Sequence, residues 1–232
     1  MEIFLTGLSR ASGLLFSFDR ELYSIVFLSL KVSGLAVVLA GLAGVPLGAL
    51  CALRRFPGRG LLVTVLNTLM GLPPVVAGLV VYMLLSRSGP LGFLELLYTP
   101  GAMVIAQTAI AAPIVAALTW SAVASVDPRA RETAITLGAS PRAAEWRVVL
   151  EARLGVLSAV IAGFGRAMAE VGAVLMVGGN IAGYTRVMTT AIAMETAKGA
   201  FDLAMALGMV LILTAFLVNL ALRYAQGRGF AV

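Results

Sequence analysis

The chain has 232 residues, of which 60% are hydrophobic and 12% charged, and its formal net charge at pH 7 is +6. A single cysteine and the absence of histidine exclude disulfide frameworks, zinc clusters, histidine-ligated haem and histidine-dependent catalytic triads. A mean hydropathy of +1.01 is typical of an all-α integral membrane protein and not of a soluble domain. Basic residues between apolar segments usually reflect membrane topology, so we set nucleic-acid binding aside.

Five segments are long and apolar enough to cross a bilayer, whose hydrocarbon core requires about 20 apolar residues per helix. They cover residues 24–52, 61–85, 101–124, 154–177 and 203–222. Residues 3–18 are too short for a sixth span and contain Arg10, so we expect an interfacial helix and not a cleaved signal peptide. We therefore divide the chain into an external or interfacial segment (1–21), a transmembrane domain (22–223) and a cytoplasmic tail (224–232).

Lysine and arginine residues are unevenly divided between the two sets of alternate loops. The richer set contains Arg54, Arg55, Arg59, Arg129, Arg131, Arg142, Arg147, Arg153, Arg223 and Arg228. Because cations resist translocation and accumulate in cytoplasmic loops, we predict that this set is cytoplasmic. The N-terminus is then external, the C-terminus is cytoplasmic, and residues 125–153 form the longest cytoplasmic loop.

The second predicted span contains two consecutive prolines near its centre, Pro73 and Pro74. Each proline removes a backbone hydrogen-bond donor, and its ring obstructs the preceding helical turn, so we predict a kink here. The kink serves either helix packing or the shape of a pathway across the membrane, and the residues alone do not decide between the two.

The predicted cytoplasmic loop contains two helix-start signals of the same type. Asp127 and Ser140 are capping residues, and each is followed by a proline at the first helical position. Gly138 is the expected left-handed terminator of the first helix. We therefore predict two short helices that meet at this glycine and form a knob, which the arginines of the loop keep out of the hydrocarbon. A long connector with its own structure indicates a docking surface for another protein.

Arg166 and Glu170 lie deep within the fourth predicted span. Their spacing of four residues places them on one helical face, where pairing would make both charges tolerable in lipid. One interpretation is a structural ion pair that locks this helix against its neighbours. The other is a direct role for Arg166 at an anion path, with Glu170 weakening the attraction enough to permit release.

Small residues repeat every four positions on two faces of the same span. One face contains Ala159, Gly163 and Ala167, and the other contains Gly165, Ala169 and Ala173. Such faces allow helices to approach closely. Packing within the chain is the simpler explanation, and a dimer interface is the alternative.

The fourth predicted span is followed by Gly178-Gly179-Asn180, which interrupts the helix, and then by a moderately apolar segment with hydroxyl groups. Its polar residues are Thr185, Thr189, Thr190, Glu195 and Thr196. We expect a short helix that dips into the outer mouth of a pathway, where hydroxyls offer weak, neutral donors to an anion. Ordinary loop polarity explains any single threonine equally well. Asn219, in the last span, is interpreted as an interhelical hydrogen-bonding residue and not as a ligand.

Eight residues of the predicted cytoplasmic loop form a motif. They are Glu132, Thr133, Ala134, Leu137, Gly138, Ala139, Ser140 and Pro141. This motif resembles the EAA loop of the permease subunits of ATP-binding-cassette importers, although Thr133 stands at an alanine position and Glu151 at a common proline position. The stretches LPPVVAGL (72–79) and GPLG (89–92) are similar to the molybdate and tungstate branch, and residues 163–208 are more similar still to tungstate-type permeases. The resemblance covers about residues 22–222.

This resemblance implies a type I ATP-binding-cassette importer permease fold, with about five transmembrane helices and a cytoplasmic coupling helix. It implies an inner-membrane homodimer that forms the path for a tetrahedral oxyanion, tungstate in the first place. Two separate cytoplasmic subunits would bind ATP and Mg²⁺, and an external protein would deliver the oxyanion. In agreement, the chain has no match to G-x-x-x-x-G-K-[ST], the loop that cradles nucleotide phosphates, so we expect a transport subunit and not an enzyme.

Within this scheme the eight-residue motif is the predicted coupling site for the ATPase. The candidate pathway or gate residues are Pro73, Pro74, Arg166, Glu170, Thr189 and Thr190. We predict no catalytic residue, no metal ligand and no cofactor in this chain.

Three alternatives to this interpretation follow from the sequence. Molybdate or another oxyanion is the alternative cargo, because these ions share shape and charge with tungstate. A passive channel would also accommodate kinked helices and a polar mouth, but it has no need of a docking knob for a motor. An intramembrane enzyme would require paired acids, histidine ligands or a nucleophile with its base, and the chain has no histidine.

Overall fold

The computed structural model describes residues 12–13 and 20–227. Within these residues the regular secondary structure is helical. The helices are α1 (Arg20–Leu53), α2 (Arg59–Met70), α3 (Pro74–Leu85), α4 (Pro100–Ala124), α5 (Pro128–Thr136), α6 (Pro141–Glu151), α7 (Arg153–Met168), α8 (Gly172–Gly178), α9 (Met188–Ala197) and α10 (Phe201–Gly227), with a short 3-10 turn at Gly92–Leu94. The predicted interfacial helix over residues 3–18 lies outside the described residues, apart from residues 12 and 13.

Three of the described helices, α1, α4 and α10, are long and apolar enough to cross a membrane. Two helix pairs pass the same test together but bend at a break, α2 with α3 by 105° and α6 with α7 by 62°. If each bent pair is counted as one span, the described residues contain up to five spans. The predicted all-α class is confirmed, and the predicted number of spans agrees with the upper figure.

The centre of the described chain is formed where α4 packs against α1 and α7. Gly48 of α1 lies so close to α4 that an added Cβ would overlap the carbonyl oxygen of Ala116. On α7, a Cβ added to Gly163 would lie 2.7 Å from Cγ2 of Val115. The predicted small-residue face that contains Gly163 therefore packs within the chain, where it permits close helix approach.

The second predicted small-residue face is divided between two environments. Ala173 is fully buried, and a Cβ added to Gly78 of α3 would lie 2.6 Å from its Cα atom. Gly165 and Ala169 are exposed instead. Among the described residues, no atom lies within 4 Å of a Cβ added to Gly165. This half of the face is therefore on the outer surface of the described chain.

The fourth predicted span, residues 154–177, is not one continuous helix, and this prediction was wrong. Helix α7 ends before residues 169–171, and α8 begins after them. The cause lies in Glu170, whose side chain accepts the backbone N–H of Ala173 at 3.0 Å in place of a helical carbonyl. Its own N–H donates to the carbonyl of Ala167 at 3.2 Å. A side chain that competes with the backbone in this way interrupts the helix.

The kink predicted in the second span is a complete break. Helix α2 ends at Met70, and α3 begins at Pro74 after a change in direction of 105°. Pro74 occupies the first position of α3, where the missing N–H would have no helical partner in any case. The proline pair therefore ends one helix and starts the next.

Candidate functional site

The loop between α4 and α7 contains the two short helices that the sequence predicts. Asp127 accepts the backbone N–H of Arg129 at 2.9 Å before α5, and Ser140 accepts that of Ala143 at 3.3 Å before α6. Gly138 has a φ of +91°, a left-handed conformation that favours glycine. Its N–H donates to a carbonyl of the last α5 turn at 2.9 Å, which closes the helix end. The predicted caps and terminator are confirmed.

The knob formed by α5 and α6 exposes apolar side chains. Leu137 is 83% exposed and Trp146 is 63% exposed. An open groove between the two helices is lined by most of the predicted motif, namely Thr133, Ala134, Leu137, Gly138 and Ala139. Glu132, Ser140 and Pro141 are exposed beside it. Large exposed apolar residues next to a groove are typical of an interaction surface, and the motor-docking role stays a prediction.

Arg166 and Glu170 are paired as predicted, but the pair crosses the end of α7 and does not share one helical face. Arg166 Nη1 lies 2.8 Å from Glu170 Oε2, and the exposed fractions of the two side chains are 31% and 2%. Glu170 Oε1 accepts the backbone N–H of Ala173 at the start of α8. The buried carboxylate therefore has both oxygens engaged and holds the guanidinium beside the break.

Two more side chains stabilise the break between α7 and α8. Gln107 of α4 donates from Nε2 to the carbonyl of Ala167 at 3.0 Å, and Thr189 of α9 donates its hydroxyl to the carbonyl of Glu170 at 2.7 Å. These bonds satisfy backbone groups at an interrupted helix end. Gln107 is 3% exposed, and its Oε1 has no hydrogen-bond partner among the described residues. The sequence prediction missed Gln107, although a lone amide in an apolar span was an available signal.

The breaks in the second and fourth predicted spans lie side by side. A Cβ added to Gly172, at the start of α8, would lie 3.1 Å from Cγ2 of Val75, the residue after the proline pair. One helical turn further along, Gly78 approaches Ala173 closely. The structure thus brings the proline pair and the ion pair into one region. Irregular backbone at membrane depth is tolerated only where protein buries it or where it lines a cavity.

Thr189 and Thr190 are 8% and 1% exposed, and their hydroxyls form hydrogen bonds within the chain. Thr190 accepts the N–H of Val187 and donates to its carbonyl, both at 3.1 Å, at the start of α9. Thr185 donates to the carbonyl of Gly178 at 2.6 Å. The predicted short helix is present as α9. The hydroxyls of these three threonines stabilise helix ends, so they are not free donors in this conformation.

Among the described residues Asn219 bonds to its own helix, so the predicted interhelical bond is not made within this chain. Its Nδ2 donates to the carbonyl of Ala215 at 2.8 Å, and the side chain is exposed on α10. It borders an apolar cavity of about 90 Å³ between α7 and α10, which Gly165 and Ala169 also line. An exposed amide on an apolar helix therefore adjoins the open half of the second small-residue face.

These features define a helical membrane protein with an exposed two-helix knob beside its spans and a buried ion pair at the junction of two interrupted helices. That class matches a known family. The chain belongs to the binding-protein-dependent transport system inner membrane components, whose sequence profile matches residues 44–228.

Similar proteins agree with this family. A tungstate uptake system permease protein of Peptoclostridium acidaminophilum is 42% identical over 219 residues, which cover 94% of this chain and 96% of that protein. A probable anion ABC transporter permease protein of Haloferax volcanii is 44% identical over 203 residues, covering 85% of this chain and 88% of that protein. The fold resembles the crystal structure of a bacterial alginate ABC transporter in complex with an alginate pentasaccharide-bound periplasmic protein. That likeness has a TM-score of 0.71 at 16% identity and covers 94% of this chain and 83% of that chain.

Proposed function

We propose that this chain is the membrane-spanning subunit of an ATP-driven importer that carries a tetrahedral oxyanion, with tungstate as the first candidate. Two copies form the pathway, and two cytoplasmic subunits bind ATP and Mg²⁺ and hydrolyse the ATP. An external protein binds the oxyanion and delivers it. The chain itself contributes transport and not catalysis. Molybdate or another oxyanion is the alternative cargo.

The observation that carries the proposal is the part-exposed guanidinium of Arg166 at the junction of the two interrupted helices. Its side chain is 31% exposed, while its partner Glu170 is buried at a distance of 2.8 Å. A guanidinium attracts an oxyanion, and the adjacent carboxylate offsets part of that attraction. Partial compensation favours passage over tight capture, because cargo that binds too strongly is not released.

The choice of tungstate is supported by the relatives. The Peptoclostridium acidaminophilum protein is named for tungstate uptake and the Haloferax volcanii protein for anion transport. Tungstate and molybdate are dianions of nearly the same size and shape, so a pathway with one compensated arginine does not distinguish them strongly. We therefore assign most of the selection to the external binding protein.

A second copy of this chain is supported by the open face of α7. Gly165 and Ala169 are exposed small residues, and Asn219 is an exposed amide on the neighbouring helix. In lipid, an amide gains by finding a partner on another helix, and small residues let that helix approach. Arg166 lies on the same stretch of α7, so a second copy seated here would place two guanidinium groups beside one pathway.

The α5–α6 knob is the proposed contact with the ATPase subunits. Leu137 is 83% exposed at the end of α5, next to the left-handed turn at Gly138. A rigid turn between two capped helices transmits movement better than a flexible linker does, because its geometry is fixed by hydrogen bonds. The motif residues from Glu132 to Pro141 would then seat in a groove of the motor.

The proposed orientation follows from the arginine distribution. It places the knob and residues 224–232 in the cytoplasm, and the N-terminus and residues 86–99 outside the cell membrane. The external side is then available to a binding protein. The solved relative with a bound periplasmic protein is consistent with such a partner.

Reconstitution in proteoliposomes tests the proposal. The purified permease, its ATPase and its binding protein should accumulate tungstate in the lumen only when ATP is supplied, as measured by mass spectrometry of the recovered vesicles. Molybdate, sulfate and phosphate serve as competing ions. Uptake that continues without ATP would indicate a channel, and ATP-dependent uptake of an unrelated solute without any oxyanion transport would contradict the proposed cargo.

A double variant separates the two interpretations of the ion pair. Arg166→Met with Glu170→Gln removes the positive charge without leaving an unpaired ion in the membrane. If the variant forms a folded dimer and transports tungstate, the pair is structural. If it forms the dimer but does not transport, Arg166 acts on the anion path, as we propose.

A further inference from the structure

The segment between α3 and α4, residues 86–99, lines an open cavity of about 600 Å³ together with the end of α3. Tyr82, Arg87, Glu95 and Tyr98 are among the residues that line it. The segment is folded tightly, since the N–H of Leu91 donates back to the carbonyl of the α3 residue Leu84 at 2.9 Å. The cavity is therefore a formed feature of the proposed external surface.

Tyr98 has an unusual backbone conformation within this segment. Its φ is +62°, a left-handed value that side-chain-bearing residues rarely adopt. Such strain persists only where the surrounding structure requires it, and it is concentrated at functional positions. The neighbouring phenol of Tyr82 raises the pKa of Tyr98. The two rings meet edge to face, with their centroids 6.5 Å apart.

The other side of Tyr98 contacts the end of α8. Its backbone N–H donates to the carbonyl of Val177 at 2.8 Å. Its ring covers Gly179, so closely that a Cβ added there would lie 2.9 Å from Cδ1 of the tyrosine. Tyr98 thus both lines the outer cavity and contacts the C-terminal end of α8.

Helix α8 connects its contact with Tyr98 to the Arg166–Glu170 ion pair. It has seven residues, which correspond to about 10 Å at 1.5 Å per residue. Its C-terminal end is bonded to Tyr98, and its N-terminal end is capped by the carboxylate of Glu170. Backbone hydrogen bonds fix the geometry of so short a helix, so we expect that displacement of one end moves the other.

We propose that Tyr98 is a positioning residue that couples occupation of the outer cavity to the position of α8 and of the Arg166–Glu170 pair. The occupant is the external binding protein, so the inference rests on the proposed function. A carboxylate, Glu95, lines the cavity together with Arg87, which disfavours an oxyanion and suits the mixed polar surface of a protein. Phe93 is 76% exposed on the same segment and supplies an apolar anchor.

The test uses the full complex in nanodiscs, with a nitroxide on Leu175→Cys of α8 in a Cys51→Ser background. Leu175 is 44% exposed and is not part of the ion pair. Distances between the labels of the two copies are measured by electron paramagnetic resonance, with and without saturating tungstate-loaded binding protein. Binding protein should shift the distance distribution and stimulate ATP hydrolysis in the parent complex.

Tyr98→Asn removes the ring but keeps a residue that tolerates positive φ. We expect the label shift to be lost and the stimulation of ATP hydrolysis to fall by about fivefold or more, as for the loss of an allosteric coupling. Tyr184→Asn is the matched control, since Tyr184 is 50% exposed in the segment before α9 and does not line the cavity. Tyr98→Phe, which retains the ring over Gly179, should restore the response.

Four results would overturn the proposal. A Tyr98→Asn complex that responds like the parent would show that Tyr98 does not transmit docking. Equal losses in Tyr98→Asn and Tyr184→Asn would indicate general damage and not coupling. An unchanged Kd of the binding protein in Arg87→Ala and Phe93→Ser would show that the segment faces lipid or solvent instead. A parent complex that does not respond to binding protein at all would contradict the proposed function itself.

Discussion

Removal of one partner from the Arg166–Glu170 pair should cost more than removal of both, and the two single changes should differ. Arg166→Met leaves a carboxylate whose side chain is 2% exposed without its counterion. Glu170→Gln leaves a guanidinium that is 31% exposed and can turn toward polar surroundings. The structure therefore predicts the order of destabilisation, with Arg166→Met most severe, Glu170→Gln intermediate and the double variant mildest.

The magnitudes follow from burial and hydrogen bonding. Stranding a fully buried charge costs about 3 to 5 kcal/mol, and this figure applies to Arg166→Met. Glu170→Gln loses a charged hydrogen bond of 2.8 Å, which is equivalent to about 1.5 to 3 kcal/mol. The glutamine can still accept the N–H of Ala173, so the start of α8 keeps its cap. In the double variant no unpaired ion remains, and the two costs should not add.

Thermal stability of the purified dimer in one detergent, measured for the four proteins of the cycle, gives the coupling energy. We expect a value within about 0.5 to 3 kcal/mol, as for residues in contact. The control cycle is Arg54→Met with Glu145→Gln, a pair at 3.3 Å in which the Arg54 side chain is 56% exposed. An exposed pair contributes at most about 1 kcal/mol. Additive losses at Arg166 and Glu170 would refute the assignment of a coupled pair.

Three further predictions concern the knob, the topology and the helix junction. Gly138→Val places a β-branched residue at a φ of +91°, at a cost of about 1 to 3 kcal/mol. The variant should insert normally into the membrane but should not associate with the ATPase in pull-down assays. Gly138→Asn should have a milder effect. Cysteines at Ala143 and Ser88, in a Cys51→Ser background, should react with an impermeant thiol reagent from the cytoplasmic and external sides respectively, and reversed labelling would contradict the orientation. Gly78→Ala brings a Cβ to 2.6 Å from the α8 backbone, so we expect a loss of thermal stability of about 1 to 3 kcal/mol, and an unchanged melting temperature would count against this helix crossing.

Local features of the knob were predictable because their causes are local. Asp127 and Ser140 each cap a helix within three residues of themselves, and Gly138 ends one by its own backbone freedom. The apolar segments were also accessible, since hydrophobic length is a property of contiguous sequence. A short stretch of chain carries all the information that these predictions need.

The break between α7 and α8 was not predictable in the same way. The segment from Arg166 to Ala173 has a spacing that fits a continuous helix, and the helix ends because Glu170 bonds to Ala173 while Gln107 and Thr189 bond to nearby carbonyls. Gln107 lies 60 residues away from its partner, and Thr189 lies 19 residues away. Tertiary partners at such separations decide between a helix and a break, and helical periodicity does not reveal them.

The same partners explain why an interrupted helix is sustainable at this position. In hydrocarbon an unsatisfied backbone group costs several kcal/mol, so a bare break would be unstable. Here each stabilising group comes from a different element: Gln107 from α4, Thr189 from α9 and Glu170 from the break itself. The bonds from α4 and α9 end on the carbonyls of Ala167 and Glu170, so a shift of the break relative to either helix would change individual hydrogen bonds, each with a net contribution of about 0.5 to 1.5 kcal/mol. Steps of that size overlap the range of allosteric coupling energies, which is about 1 to 3 kcal/mol. They suit the gate that we propose at this junction, which docking and ATP hydrolysis would bias in turn.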